Sequence, residues 1–452
     1  MRDNPTPKLV FVVAELGYFL SHRLPTARAA KRAGFAVHVL TNCPATIPSS
    51  HPVFSEFTIH HIGRLKRKAS PIASLVPIIA MAWRLRTRLK AIRPQAIHSI
   101  ALYPSIITLC AIATLIKPPH HTITIAGLGY AFVSQSLSAS IMRVLVKGLF
   151  ALPVITANKT FIFQNEDDPK QFPSLARKKS STLLTIRGSG VDPKQFPVTP
   201  LPPIKTNRNT QPNINHESKH DAKYDARHDT KHESKHDARF RAKSPLIIAT
   251  ACRLLTAKGI HELATATDHI SNINNTPLHL RIAGDIDAGN PGGLPPSLIR
   301  PLKQSLYIEW LGYVKDMRKF WGECHVAALL SYGGEGLPMA LLQALAMGRP
   351  ILTTHSNGCR DLIALQAHDD PSTIRQDKLY IGKNGILVPP RNTATTISAL
   401  KHLATADLAA MSRHSQKHFQ LLGISSTTIE QAHFAHYESL RQSPQSHTKS
   451  HP

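Results

Sequence analysis

Val326-Ala-Ala-Leu-Leu-Ser-Tyr-Gly-Gly-Glu-Gly-Leu-Pro-Met-Ala-Leu-Leu-Gln-Ala-Leu-Ala-Met-Gly-Arg-Pro-Ile-Leu-Thr-Thr354 decides the fold. It opens with an apolar run of strand length, Val326–Leu330, and passes through a Gly-rich loop, Ser331–Pro338. A helical pattern follows over Met339–Met347, closed by Gly348, and Pro350–Thr353 reads as another strand. Strand, helix and strand in that order are the repeat of a parallel sheet with crossover helices. Ligands of such sheets bind at the carboxyl ends of the strands, and anions favour helix N-termini. The backbone N–H groups near Met339 and Ala340 are placed for an anion. Glu335 and Gln343, eight residues apart, offer a carboxylate and an amide to sugar and ribose hydroxyls.

The same alternation extends in both directions. Lys8–Ala14 is a β-branched run, followed by a loop and a helical stretch from about His22 to Ala33; Gly34 ends it and Ala36–Leu40 is the next strand. Further strands are read at Ala96–Ile100, Thr122–Ala126 and Thr160–Gln164, then at Pro245–Thr250, Leu278–Ala283 and Leu306–Leu311. This predicts an α/β chain of two doubly wound domains. We place the first at residues 1–197 and the second at 244–442, with a linker over 198–243 and a tail over 443–452. Within the linker, residues 216–239 are six tandem tetrads (HESK, HDAK, YDAR, HDTK, HESK, HDAR), each with one acid and one base. With almost nothing apolar to bury, that insertion and the tail are expected to be disordered.

The 452 residues carry 54 Lys+Arg against 28 Asp+Glu, a formal charge of +26. Most of the surplus lies in residues 1–200, which hold 25 basic and 7 acidic residues. Between Glu56 and Glu166, 109 residues pass without an acid and with 13 Lys or Arg. One cluster there is Arg64, Lys66, Arg67 and Lys68; another is Arg84, Arg86, Arg88, Lys90 and Arg93, with the apolar run Pro71–Ala82 between. The absence of interleaved aromatics and of any helix-turn-helix, RRM or zinc-finger pattern argues against nucleic acid. An apolar run flanked by cations suits an anionic membrane surface, although a solvated basic helix face gives the same pattern. The uncharged run Ser99–Ile116 is expected to be a buried strand and helix, because Pro104 interrupts it. Five scattered cysteines without a CxxC pair argue against a disulfide scaffold or a structural zinc and fit a reducing compartment. No secretory signal is read at the start, so a peripheral protein on the cytoplasmic face of the membrane is expected.

The string EGLPMALLQALAMGRPILTT, from Glu335 to Thr354, resembles the nucleotide-sugar signature of retaining GT-B glycosyltransferases of family 4. Phe19–Pro25, Thr124–Phe132, Ile162–Asp168, Gly188–Asp192 and Gly358–Asp361 are similar to the subgroup that builds capsules and lipid-linked oligosaccharides. The resemblance implies a GT-B fold, two Rossmann-like domains facing across a cleft. It also implies transfer of a sugar, an N-acetylhexosamine by the subgroup's habit, from a UDP-sugar co-substrate to a polyprenyl-diphosphate-linked or growing surface-polysaccharide acceptor. By the same resemblance Glu335 contacts the donor sugar, and Gln343 stands where the family's second Glu holds the ribose. Arg253 and Lys258 match the pair that neutralises the donor diphosphate, which fits the charge built on a departing leaving group. Gly17 matches the backbone approach of the first domain to the donor. Gly312 and Val314 belong to the loop around the base, and Gly336, Leu337, Met339 and Ala340 to the donor loop and helix start. Arg64, Lys66, Arg67, Lys68, Arg84 and Arg88 are assigned to the membrane and acceptor side. No Asp-X-Asp motif stands in a donor loop, so metal-independent transfer without a cofactor is expected.

Two departures stand out: Gln343 replaces a Glu, and Ala126 replaces a His common before the glycine that is here Gly127. His22 and His98 lie near the expected cleft and read equally well as packing residues. A GT-B UDP-sugar epimerase, or a non-catalytic module binding sugar nucleotide or membrane, remain the other classes.

Overall fold

The computed structural model describes residues 6–44, 47–48, 50–63, 75–113, 115, 117–133, 136–151, 159–176, 181–204, 245–273, 278–287, 290, 292–370 and 373–442. The tetrads 216–239, the tail and the cluster Arg64–Lys68 lie outside the described residues.

Two seven-stranded sheets form the framework. The first contains β1 (Lys8–Glu15), β2 (Ala36–Asn42), β3 (Thr58–His61), β4 (Ala96–Ile100), β5 (His120–Ile125), β6 (Lys159–Phe163) and β7 (Ser181–Thr185). Their order is β3-β2-β1-β4-β5-β6-β7, and every pairing is parallel. The second contains β8 (Leu246–Ala251), β9 (Leu278–Ala283), β10 (Ile308–Gly312), β11 (Val326–Leu329), β12 (Ile351–Thr354), β13 (Tyr380–Ile381) and β14 (Gly385–Val388). Its order is β10-β9-β8-β11-β12-β14-β13, with only β13 antiparallel to its neighbour. The expected strands are present to within about two residues. β3, β7, β13 and β14 were not read from the sequence: β3 and β7 are short edge strands of mixed polarity, and β13 has only two residues.

Strands buried on both faces carry near-continuous apolar runs, as parallel sheets require. Phe11 and Val13 of β1 point into one core and Val10 and Val12 into the opposite one. The presumed loop after β1 is instead a helix, Leu16–His22, followed at once by a second, Leu24–Arg32 with Pro25 in its first turn. Leu16 and Phe19 are buried against β1, which is why the chain turns helical without a loop. The run from Ser99 is, as expected, β4 followed by the buried helix Leu102–Ile112. Among the described residues no helix is long and apolar enough to cross a membrane.

Two helices flank Leu102–Ile112 on the same side of the first sheet. Leu75–Ile92 packs through Leu85 and Leu89 with Ile107, and Leu137–Ala151 through Val146 and Phe150 with Leu109. Both leave apolar side chains in solvent. On the first, Val76, Ile79 and Trp83 are exposed beside exposed Arg84 and Arg88. On the second, Leu137, Ile141, Val144 and Leu145 form one stripe, with Leu137 78% and Val144 70% exposed.

The last helix, Ser426–Gln442, follows the second sheet in sequence yet packs on the first. Tyr437 is fully buried there beside Phe11 and Phe19. The two crossing segments meet at Val191 and Ser425, joined by Val191 N–H to Ile424 O (3.1 Å) and Ser426 N–H to Val191 O (2.9 Å). His98, far from being free in the cleft, is wholly buried with both ring nitrogens engaged, Nδ1 by the Tyr437 hydroxyl (2.5 Å) and Nε2 by Thr124 Oγ1 (2.6 Å).

Candidate active site

The carboxyl ends of β8, β11 and β12 supply one group of polar side chains. After β8 the chain makes a tight turn, Thr256–Lys258, closed by Gly259 at φ +66°, and enters the helix Ile260–Ile273. A Cβ at Gly259 would run into the carbonyl of Leu330, so the turn lies directly against the end of β11. Tyr332 N–H donates to Ala257 O (2.8 Å), tying the Gly-rich loop to that turn. Lys258 Nζ consequently reaches Glu335, donating to Oε1, and Ser331 Oγ donates to the same oxygen (2.8 Å). Both charged side chains are largely buried. Burial works against the charged form of Lys258, but the adjacent Glu335 carboxylate outweighs it and holds the ammonium above its ordinary pKa. The nearby thiols are no nucleophiles: burial pushes Cys252 up to about 11 and Cys359 to about 12.

Arg253 stands apart from this pair. Its side chain is 65% exposed and bonded to Asp287 (2.8 Å) after β9. Gly312 ends β10 at φ +63°, and its carbonyl accepts from Gly284 N–H (2.6 Å). Val314 rests half-buried on the core of the second domain, with Tyr313 exposed beside it. Met339 and Ala340 open the helix Met339–Ala346 behind Pro338, and Leu337 is buried just before it. Gln343, one helix face on, accepts at Oε1 from the indole N–H of buried Trp321 (3.2 Å). A Glu at that position would meet the same donor, so the departure keeps the local geometry.

The first domain closes on the Gly-rich loop. Gly127 has φ +107°, and a Cβ there would collide with the carbonyl oxygen of Gly334; Gly129 N–H donates to that oxygen (3.3 Å). A Cβ at Gly336 would collide in turn with Gln164 and Ala126. Asn165 Nδ2 donates to Gly336 O (2.9 Å) and Glu335 O (3.3 Å), while its Oδ1 accepts from the N–H groups of Asp167 and Asp168. Arg360 pairs with Asp167 across the same seam. Asn165 and Asp167 lie in a Gln-Asn-Glu-Asp-Asp run that sequence reading noted but gave no role. Their signal was the return of acids at Glu166, Asp167 and Asp168, right after a strand and at the end of the long acid-free stretch.

Gly17 sits in the first turn of the helix Leu16–His22, with open space where a Cβ would point. His22 stacks on Tyr18 (4.7 Å), and burial, then Arg23, lower it to about 4, so it is neutral at physiological pH. Arg84 and Arg88 lie on the helix Leu75–Ile92, away from this cluster; Arg64, Lys66, Arg67 and Lys68 are not among the described residues. Among the described residues no three His, Cys, Asp or Glu side chains are grouped to hold a metal ion.

Two parallel-sheet domains meeting at their strand ends, with a Gly-rich loop between them, are the GT-B architecture. Comparisons with known proteins agree. Residues 8–165 match the family described as glycosyl transferase 4-like, and residues 245–406 the one described as glycosyl transferases group 1. The chain belongs to family 4 of the GT-B glycosyltransferases. It is 23% identical over 295 residues, 65% of this chain and 68% of the relative, to N,N'-diacetylbacillosaminyl-diphospho-undecaprenol alpha-1,3-N-acetylgalactosaminyltransferase of Campylobacter jejuni. Among solved structures, sucrose-phosphate synthase of Thermosynechococcus elongatus has TM-score 0.66 at 15% identity, covering 96% of this chain and 99% of that one. Anabaena HepE in complex with UDP and glucose has TM-score 0.63 at 12% identity, covering 96% and 100%. At those identities the likeness shows the fold.

Proposed function

We propose that this enzyme transfers a sugar, an N-acetylhexosamine, from a UDP-sugar to a polyprenyl-diphosphate-linked acceptor at the membrane surface, with retention of configuration. The observation that carries the reading is the Lys258–Glu335–Ser331 cluster at the mouth of the loop before the helix Met339–Ala346. A diphosphate leaving as the glycosidic bond breaks gathers negative charge, and a fixed buried cation stabilises that transition state far more than a solvated one. Lys258 supplies the fixed charge. Arg253, exposed and held by Asp287, adds a fork for phosphate oxygens. Glu335 orients the donor sugar's hydroxyls, and Gln343 the ribose. With same-face attack no base on the far side of the sugar is required.

The Campylobacter relative, whose name states a diphospho-undecaprenol acceptor, supports the lipid-linked substrate. A membrane location is supported by the two exposed apolar helix faces, Val76–Trp83 and Leu137–Leu145, lying among the cations of the acid-free stretch. Apolar side chains enter the interface while Arg84 and Arg88 meet anionic headgroups.

The direct check is to incubate the protein with radiolabelled UDP-N-acetylhexosamines and polyprenyl-diphosphate-linked sugars, then extract lipid. Label in the organic phase is the expected result. Donor binding with no labelled lipid from any acceptor sinks the reading in favour of a sugar-nucleotide-binding module.

A further inference from the structure

Between the two domains lies a cavity of about 360 Å3 that Gly333 and Gly334 line but Glu335 and Lys258 do not. It falls within the roughly 300–1,000 Å3 span of small-molecule sites, at the lower end. The first domain contributes Phe132, Arg143, Asp168 and Gln171 to its walls, and the second Tyr332 and Asn357. Arg143 comes from the helix Leu137–Ala151 whose outer stripe is apolar.

Asp168 is the unusual member. Its backbone N–H is fixed by Asn165 Oδ1 (2.8 Å), and the residue is only 1% exposed, yet Oδ2 has no hydrogen-bond partner. Buried polar atoms are nearly always bonded, and an orphan asks for an explanation. Burial pushes this carboxyl up to about 6, opposed by the amides of Asn165 and Asn357 beside it and helped by the like charge of Asp167 and Asp361, so it remains an acceptor at neutral pH. What would satisfy it is a hydrogen-bond donor, which a hydroxyl supplies and a phosphate oxygen does not. A neutral ring with several hydroxyls meets that condition. The Phe132 and Tyr332 rings supply apolar surface for its C–H face.

The geometry points to this cavity as the subsite for the acceptor's sugar, with Asp168 accepting a hydrogen bond from one of its hydroxyls and Asn357 binding it from the second domain. This rests on the acceptor reading above. A sugar held there shares the Gly333–Gly334 wall with the Glu335 cluster, and its lipid leaves along the helix that carries Arg143. Because both domains line the cavity, the acceptor binds only when the two are together, as here.

Two arms test it on the full-length protein. In the first, saturation-transfer NMR is run with methyl glycosides of N-acetylglucosamine, N-acetylgalactosamine, glucose and galactose, with UDP present. At least one glycoside is expected to give a signal, reduced fivefold or more in both Asp168→Ala and Asn357→Ala. No signal from any glycoside, or signals untouched by both variants, overturns the proposal. In the second arm, the KM for the lipid-linked acceptor is expected to rise tenfold or more in each variant, with kcat and the UDP-sugar KM within about twofold. A shift in donor KM alone overturns it. Should Asp168→Ala fail to fold, Asn357→Ala decides both arms. Glycoside binding without transfer by the wild-type enzyme would instead fault the lipid-acceptor reading and leave the subsite standing.

Discussion

Lys258 and Arg253 show how two cations matched to one leaving group differ in what they cost the fold. Lys258 and Glu335 are mostly buried against each other, and removing one partner of a buried pair strands the other, at about 3–5 kcal/mol. Lys258→Met is therefore expected to lower both Tm and kcat, kcat by about 10²–10³-fold as for other lost transition-state donors. Arg253 is exposed, so Arg253→Ala is expected to reduce kcat about tenfold with Tm unchanged by differential scanning fluorimetry. Equal loss of Tm in both variants contradicts this assignment. The roles of these two residues came from the resemblance to the family. Their physical difference did not, because Glu335 lies 77 residues beyond Lys258 and only the fold brings them together. The same holds for Asn165, whose polar neighbourhood reads as an ordinary loop until its amide is seen bridging to Gly336.

At the scale of elements, burial was the least legible property. Leu102–Ile112 and Leu137–Ala151 are both apolar helices, yet the first lies between two flanking helices and the second borders solvent. Arg143 and Lys147 mark the second as the less buried of the two, but which of its apolar side chains are left in solvent follows only from its position in the sheet order. Sequence reading assigned the membrane-facing role to the basic clusters and the run before Trp83, and overlooked the stripe Leu137–Leu145. Val144→Asp with Leu145→Asp alters only exposed positions, so stability is expected to hold. Co-sedimentation with anionic vesicles should fall tenfold or more. Neutralising Arg84 and Arg88 should chiefly weaken the salt dependence of binding. Vesicle binding unaffected by either pair means these faces are simply solvated.

For the whole molecule, the alternation of strands and helices was readable because buried parallel strands must be apolar throughout, as at Val10–Val13 and Ile248–Ala249. The return of Ser426–Gln442 to the first sheet was not, since its inward residues include His433 and His436. Those two meet His98 in one buried group, where Thr122 Oγ1 bonds His436 Nε2 (2.9 Å) and His433 stacks on Tyr437, while His121 is buried on the other face of the sheet against Ser99 Oγ (2.7 Å). Burial lowers all four, His436 to about 4 and the others well below 6.5. The unfolded chain binds protons near pH 6.5 while the folded chain does not. The stabilisation is thus complete above pH 6.5 and declines as pH falls toward 4, by about 1.4 kcal/mol per pH unit for each histidine. Tm is expected to fall steeply over that window, and His433→Phe to flatten the slope; an unchanged slope shows that His433 does not take part.

In the proposed reaction, sugar transfer runs at the Gly-rich loop between the two domains, with Glu335 holding the donor sugar beside Lys258. Its most direct test is the rate of label transfer from UDP-sugar to lipid-linked acceptor by wild-type and Glu335→Ala enzyme, with UDP affinity measured in parallel by calorimetry. A kcat loss of at least 100-fold is expected, with UDP affinity kept within a few-fold. Transfer by Glu335→Ala at the wild-type rate contradicts it.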